Sequence, residues 1–296
     1  MRNINEDTIT QAVLASITSC KDERLRQLMT SLVQHLHSFA REINLTEDEW
    51  FKGVQFLTAT GHITDDARQE FILLSDVLGL STLVTSQNNI KPAGCTESTV
   101  FGPFFVEGSP DYPLGADMSN GAGGEPCFVR GKVTDPQGKG LAGVSMDVWQ
   151  SDEDGYYDVQ RPPIGPGQHE HRARGRFVSD ISGNYHFRSI LAQPYPIPHD
   201  GPVGRMLKAL GRHPWRPAHL HFMLLAPGFE RLITHVFRDH DKYLDSDAVF
   251  GVRSTLISDW IKHETGTAPD GSPMDRPFYT LNYDFVLNPI KTSVQR

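Results

Sequence analysis

The pattern of apolar and polar positions changes period near residue 90. Upstream, Leu25, Leu28, Met29, Leu32, Val33, Leu36, Phe39, Ala40 and Ile43 recur at i, i+3, i+4 and i+7, which predicts an amphipathic helix. Asn44-Leu45 interrupts it, and Thr46 with Glu49 reads as a capping box opening a second helix through Trp50, Val54 and Leu57. A third helix is expected to begin near Thr64 and run through Phe71, Leu74 and Leu78, and a weaker periodicity marks residues 9–17. After Pro92 glycine and proline multiply, and short β-rich runs alternate with turn signals. Strands are expected over 128–133, 144–149, 176–179 and 185–190, with turns at 135–138 and 180–183; 219–225 and 232–237 continue the series. Residues 254–263 are read as one late helix, 279–287 as a closing strand, and the Gly/Pro stretch 161–167 as a surface loop. The expected fold class is α+β: a helical N-terminal region, 1–92, followed by a β-sandwich, 93–296.

Composition narrows the possible partners. At 296 residues, with 38% hydrophobic and 22% charged positions, the chain can bury a full core. Its formal net charge is -8 and its Lys and Arg are scattered, so a nucleic-acid partner finds no basic footprint. Residues 1–19 carry Arg2, Glu6 and Asp7 and lack the apolar core and cleavage site of a secretion signal. Nothing approaches the roughly 20 apolar residues of a membrane span. Cys20, Cys95 and Cys127 are far apart and form no CxxC pair, which points away from a disulfide framework or a zinc ribbon and toward a reducing cytoplasm.

The chemistry gathers in the β-rich part. His219-Leu220-His221 falls in an expected strand, where residues two apart face the same side, so both imidazoles can reach one point. The same pair can equally be two histidines satisfied by hydrogen bonds on a sheet face. Arg216-Pro217-Ala218 leads into it, and Tyr157 and Tyr195 follow turn signals elsewhere. A tyrosine is most often a core residue, and spacing alone does not prefer these two over Tyr156 or Tyr185, which also sit beside turns.

Taken together, Val148-Trp-Gln-Ser-Asp-Glu-Asp-Gly-Tyr-Tyr157, Pro194-Tyr195 and Gly211-Arg-His-Pro-Trp-Arg-Pro-Ala-His-Leu-His221 resemble the signature of the intradiol ring-cleavage dioxygenases, and the likeness runs from about residue 25 to residue 287. The resemblance implies one Fe(III) per subunit, bound by Tyr157, Tyr195, His219 and His221, and it is what selects Tyr157 over Tyr156 and Tyr195 over Tyr185. Fe(III) is a hard ion suited to anionic oxygen donors, and two tyrosinates with one hydroxide would balance its charge. The implied partners are a small aromatic diol or triol and O2. Tyr195 would take up a proton as the diol binds, and Arg216 would stabilise negative charge developing near the ring; the plainer reading of Arg216 is a solvated surface charge. The resemblance also implies a homodimer paired through the N-terminal helices; enzymes of the family can carry a bound lipid at that interface, although the sequence shows no lipid-binding motif.

Residues 96–105 and 195–205 are most similar to the hydroxyquinol-cleaving branch of that family. The branch implies a role for His235, where the catechol enzymes carry glutamine, and for Asp76. By the same correspondence Leu73, Asp76, Val100, Phe101, Gly102, Pro103, Phe104, Ile197, Pro198, Arg216 and Val249 would line the pocket, although most of the apolar ones could equally be core. The implied reaction cleaves benzene-1,2,4-triol to 3-hydroxymuconate, with a catechol or chlorocatechol 1,2-dioxygenase as the near alternative. Two other classes fit the residues themselves: a zinc hydrolase built on the histidine pair, and a non-catalytic β-sandwich binding module with an appended helical domain.

Overall fold

The structure is a computed structural model that describes residues 2–65, 68–162 and 170–290. Of the loop expected over 161–167, residues 163–167 lie outside the described residues. The chain divides into two compact units, 1–62 and 63–296. The first holds α1 (Ile9–Ile17), α2 (Glu23–Glu42) and α3 (Glu47–His62). Asp22 opens α2 by accepting from the Leu25 N–H at 2.9 Å, with Glu23 in the first turn and Arg41 in the last, each at the end of the helix dipole that suits its charge. The expected capping box opens α3: Glu49 accepts from the Thr46 N–H at 3.0 Å and the Thr46 hydroxyl accepts from the Glu49 N–H at 3.3 Å. Arg41 fastens α2 to α1 by donating to Glu6 O and to the Thr10 hydroxyl. The apolar stripe of α2 stays exposed along its length, from Leu25 through Leu32 and Leu36 to Phe39 and Ile43.

The second unit opens with α4 (Glu70–Val77) and α5 (Leu80–Asn88). The helix expected from Thr64 starts only at Glu70, because Asp65 and Arg68 close a turn instead: Asp65 N–H donates to Arg68 O, and Arg68 N–H to the Asp65 carboxylate. Gly79, with φ 75°, separates the two helices by a left-handed residue that a side chain would strain. Further along come β1 (Pro126–Thr134), β2 (Ser145–Trp149), β3 (Arg174–Val178), β4 (Asn184–Ile190), β5 (Tyr195–Pro196), α6 (Pro202–Ala209), β6 (Trp215–Arg216), β7 (His219–Leu225) and β8 (Leu232–Arg238). β9 (Ile257–Ser258), β10 (Trp260–His263), β11 (Gly266–Thr267), β12 (Pro273–Met274), β13 (Phe278–Asn282) and β14 (Phe285–Val286) complete the series. α6 is absent from the sequence reading. It begins at a proline and is anchored by the buried Glu70, which accepts from the Val203 N–H at 3.1 Å and is paired with Arg68 at 3.0 Å.

Two five-stranded sheets form the sandwich. One runs β3-β2-β7-β8-β9; in the other, β1 lies between β4 and β13, β10 flanks β13, and β14 pairs with the last two residues of β1. Alternation along the strands sends Met146, Val148, Leu220, Phe222, Leu224 and Val236 from the first sheet into one core with Cys127, Val129, Tyr185, Phe187, Leu281 and Phe285 from the second. Two further expectations need correction. Residues 254–263 are not a helix but a short 3-10 turn followed by β9 and β10, because β8 and β13 offer open edges whose backbone groups this segment satisfies. The closing strand over 279–287 is broken at Tyr283-Asp284, where the Asp284 carboxylate replaces a ladder carbonyl and accepts from the Lys132 N–H at 2.7 Å.

Candidate metal centre

The centre of the first sheet carries the histidines. His221 sits opposite His235 on β8 and opposite Trp149 on β2, while His219 sits opposite Phe237. Cross-strand partners share a face, so His219, His221 and His235 gather on the side turned away from the sandwich core. All three are buried, and their ring nitrogens lie within 4.8 Å of one another. Trp149 stacks on the His221 ring at 4.7 Å.

Both tyrosines arrive from irregular segments. The 152–157 turn is closed by Gly155 N–H donating to Asp152 O and by Asp152 N–H donating to Tyr156 O. Gly155 has φ 81°, and a Cβ there would stand 3.1 Å from the Tyr195 Cβ, so this turn and the Tyr195 segment can approach only through a glycine. Tyr157 follows, fully buried, its N–H held by the Gln160 side chain at 2.9 Å. Tyr195 lies in β5, opposite Arg216 in β6. By contrast Tyr156 is about half exposed beneath the Arg161 guanidinium, and Tyr185 donates its hydroxyl to Tyr283 O in the core. Neither reaches the histidines.

The polar atoms converge as a chain. Tyr157 Oη lies 2.9 Å from His221 Nε2, which lies 3.1 Å from His219 Nε2, which lies 3.4 Å from Arg216 Nη1; that nitrogen donates to Tyr195 Oη at 3.4 Å. His219 Nδ1–H donates to Pro217 O at 2.7 Å, which leaves the Nε2 lone pair facing the cluster. Burial and the nearby Arg216 charge push the His219 imidazole down to about 3. Burial does the same to His221 and His235, with neighbouring imidazoles adding to it, so the three rings are neutral at pH 7. Burial and the facing Tyr195 raise the Tyr157 phenol well above its ordinary range, so at neutral pH only a cation at this point would ionise it. His221 Nδ1 and both nitrogens of His235 are buried with no protein partner among the described residues. Lone pairs crowded together and buried ring nitrogens without a protein partner among the described residues are what a multivalent cation would resolve, and the donor set fits a hard, oxygen-preferring one.

Arg216 is locked from behind by Asp247, a residue with no signal in the sequence. Its carboxylate accepts from Arg216 Nε at 3.0 Å and Nη2 at 3.2 Å, and from the backbone of Val249 and Gly251. Burial works against the guanidinium charge, and Asp247 with Tyr195 more than offsets it; the Asp247 carboxyl is held below its ordinary value by the same pairing despite its own burial. Arg216 is therefore an internal cation and not a solvated one.

Of the residues implied to line a pocket, Phe104 stacks on Tyr157 at 4.4 Å and Gly102 packs against the His221 ring. Val100, Ile197, Val249 and Leu73 are buried, while Phe101 and Pro103 are exposed and Pro198 is partly so. Asp76 is buried on α4, close enough to feel the charges of Arg216 and Asp247. A second buried pair, Arg174 with Asp158, anchors the residue after Tyr157 and the Phe104 carbonyl.

Comparison with known proteins gives the family. A family model described as "Dioxygenase" matches residues 100–289, and one described as "Catechol dioxygenase N terminus" matches residues 22–96. The chain is 56% identical to 6-chlorohydroxyquinol 1,2-dioxygenase of Cupriavidus pinatubonensis, over 98% of this chain and 99% of that protein. It is 48% identical to hydroxyquinol 1,2-dioxygenase of Nocardioides simplex, over 96% of each. The solved structure of hydroxyquinol 1,2-dioxygenase from Pseudomonas putida DLL-E4 superposes with a TM-score of 0.89 at 45% identity, over 96% of this chain and 98% of that one. The zinc-hydrolase and binding-module readings lose their ground, since relatives matched from end to end are ring-cleaving oxygenases: the chain belongs to the intradiol ring-cleavage dioxygenases.

Proposed function

We propose that the chain opens benzene-1,2,4-triol (hydroxyquinol) between its two adjacent hydroxylated carbons, using one iron(III) per subunit held by Tyr157, Tyr195, His219 and His221. The observation that carries this reading is the convergence of two phenols and two neutral imidazoles on one buried point. When bound, iron(III) supplies the charge that keeps phenols and diol deprotonated and the Lewis acidity that draws electron density from the ring toward O2. The chain's own groups do the rest. Tyr195 Oη, within reach of Arg216 Nη1, takes a proton from the incoming diol. Arg216, fixed by Asp247, stands ready for negative charge developing beside the ring, and needs no reorganisation to meet it. His235, whose ring nitrogens have no partner among the described residues and which lies with His219 and His221, can hydrogen-bond a substrate or oxygen atom there. The carbon–carbon bond breaks, both atoms of O2 enter, and the product is 3-hydroxymuconate, the tautomer of maleylacetate.

The choice of the triol over catechol rests on Asp76, a buried carboxylate on α4 that lies close enough to Arg216 to feel its charge, and on the substrates named for the two relatives. An apolar wall would desolvate the third hydroxyl without return, and a carboxylate accepts its proton. The exposed stripe of α2 supports a homodimer paired through residues 1–92, and offers the apolar wall a bound lipid would need. No helix among the described residues is long and apolar enough to cross a membrane. The free Cys20, Cys95 and Cys127 suit a reducing cytoplasm.

Metal analysis with a visible spectrum tests the centre. The purified protein should be red from tyrosinate-to-iron charge transfer. Tyr157→Phe and His221→Ala should each lose most of the iron and activity, whereas Tyr156→Phe and Tyr185→Phe should keep the colour. A colourless wild type, or bleaching by Tyr156→Phe and not by Tyr157→Phe, defeats the assignment. Equal or better turnover of catechol would move the substrate to catechol.

A further inference from the structure

Arg212 stands in the segment leading to the histidine strand, yet its contacts run elsewhere. Its Nη1 donates to Val77 O at 2.6 Å, its Nη2 donates to Ala248 O at 2.9 Å, and its guanidinium lies 4.8 Å from the centre of the Phe250 ring. Val77 is the last residue of α4 and follows Asp76. Ala248 lies between Asp247, which grips Arg216, and Val249. One rigid fork thus joins the end of the helix that carries Asp76 to the turn that holds Arg216.

The turn itself is tightly specified. Asp247 accepts from the N–H groups of Val249 and Gly251, Phe250 N–H donates to Asp247 O, and the Thr82 hydroxyl of α5 donates to Val249 O at 3.0 Å. Phe250 adopts φ 58°, a left-handed conformation that an aromatic residue keeps only where its surroundings impose it. Here the imposing groups are the Arg212 guanidinium on its ring and Gly79, beside which the Phe250 ring packs. The strain sits at the point where α4, α5 and the Arg216-holding turn meet.

We propose that Arg212 is a positioning residue for substrate selectivity: by tying the terminal carbonyl of α4 to the 247–251 turn, it sets the separation of Asp76 from Arg216, and with it the recognition of the third ring hydroxyl. This rests on the reading that Asp76 meets that hydroxyl. Arg216 faces the reacting carbons from the ligand side and Asp76 faces the substituent from α4, so a substrate bridging both is measured against a distance that neither residue fixes alone. An arginine at a helix C-terminus also stabilises the helix end. That structural role would change thermal stability without altering the ratio between two substrates differing by one hydroxyl.

The test compares kcat/KM for benzene-1,2,4-triol and catechol, with dissociation constants from anaerobic spectral titration, in Arg212→Met, Arg212→Lys and Thr82→Val. Methionine keeps an unbranched stem and removes the fork; lysine can reach only one of the two carbonyls; valine removes a single hydrogen bond to the turn without touching charge. The triol kcat/KM should fall about tenfold in Arg212→Met, its dissociation constant rising in step, while catechol changes by less than about threefold. Lysine should recover part of the ratio, and Thr82→Val should shift it in the same direction by a smaller factor. The resting visible band should stay in place throughout. In an Asp76→Leu background, Arg212→Met should have no further effect on the ratio. Ratios within about twofold of wild type in Arg212→Met and Thr82→Val, whatever the melting temperatures, would overturn the proposal, as would loss of the visible band. Should Arg212→Met not fold, Thr82→Val and Arg212→Lys decide. If Asp76→Leu alone leaves the ratio unchanged, the reading of Asp76 fails; if Asp76→Leu shifts it and Arg212→Met does not, only the role of Arg212 fails.

Discussion

Asp76 is an uncomfortable side chain in the second unit. Burial pushes its carboxyl up from the ordinary value, with the Ser81 hydroxyl and the Arg216 charge holding it back only in part. A carboxyl whose folded-state value is raised binds its proton more tightly when folded, so the native state loses stability as pH rises above the ordinary carboxylate range, near 3.8. Asp76→Asn should therefore raise the melting temperature at pH 7, and the gain should shrink as the pH falls toward that range. Asp76→Leu should cost the triol about one to two powers of ten in kcat/KM with the iron colour intact. A carboxylate that merely served the fold would show the reverse: a lower melting temperature in Asp76→Asn and no change in substrate ratio. The residues differ in how legible they are from sequence. His219 and His221 are two apart on a strand and announce a shared face; Tyr157 and Tyr195 acquire meaning only within the longer motifs around them. Asp247 lies far along the chain from the Arg216 it fixes, and a lone aspartate before a turn is too common to nominate.

At the scale of elements, local chemistry was readable and long-range pairing was not. Asn44, Thr46 and Glu49 end one helix and begin the next by contacts within a few residues, as do Asp135 and Asp180 in their turns. Residues 254–263 have a passable helical pattern, but their backbone is claimed by β8 and β13, strands far away in sequence. α6 is short and follows a Pro/Gly-rich run, and its supports, the burial of Val203 and Leu207 and the carboxylate of Glu70, come from residues distant in sequence. The join between α4 and α5 shows how an element boundary affects the pocket. Gly79→Ala would force a left-handed alanine whose Cβ stands 3.4 Å from the Phe250 ring. We expect a loss of about 1 kcal/mol, a fall of roughly 2–4 °C in melting temperature by calorimetry, and an unchanged visible band. A melting temperature equal to wild type would mean that the α4–α5 junction relaxes freely and does not constrain the turn beyond it.

For the molecule as a whole, the helical unit leaves Leu25, Leu28, Leu32, Leu36, Phe39 and Ile43 exposed on one stripe, more apolar surface than a lone soluble helix should show water. Sedimentation equilibrium should return a dimer at micromolar concentration, and Leu32→Lys with Leu36→Lys should yield monomers that remain red. A wild-type monomer would refute pairing through this face. The sandwich has a different kind of closure: β1, its first strand, pairs in parallel with β13 and β14, its last. All the groups assembled around the histidines have left the ribosome by Asp247, yet the sheet behind them still lacks the strand that covers the Phe128–Val129 edge. Nascent chains should then remain unable to capture iron until residues 278–286 emerge, and a premature stop before Phe278 should yield an aggregating product with a bare strand edge, not a weakened enzyme.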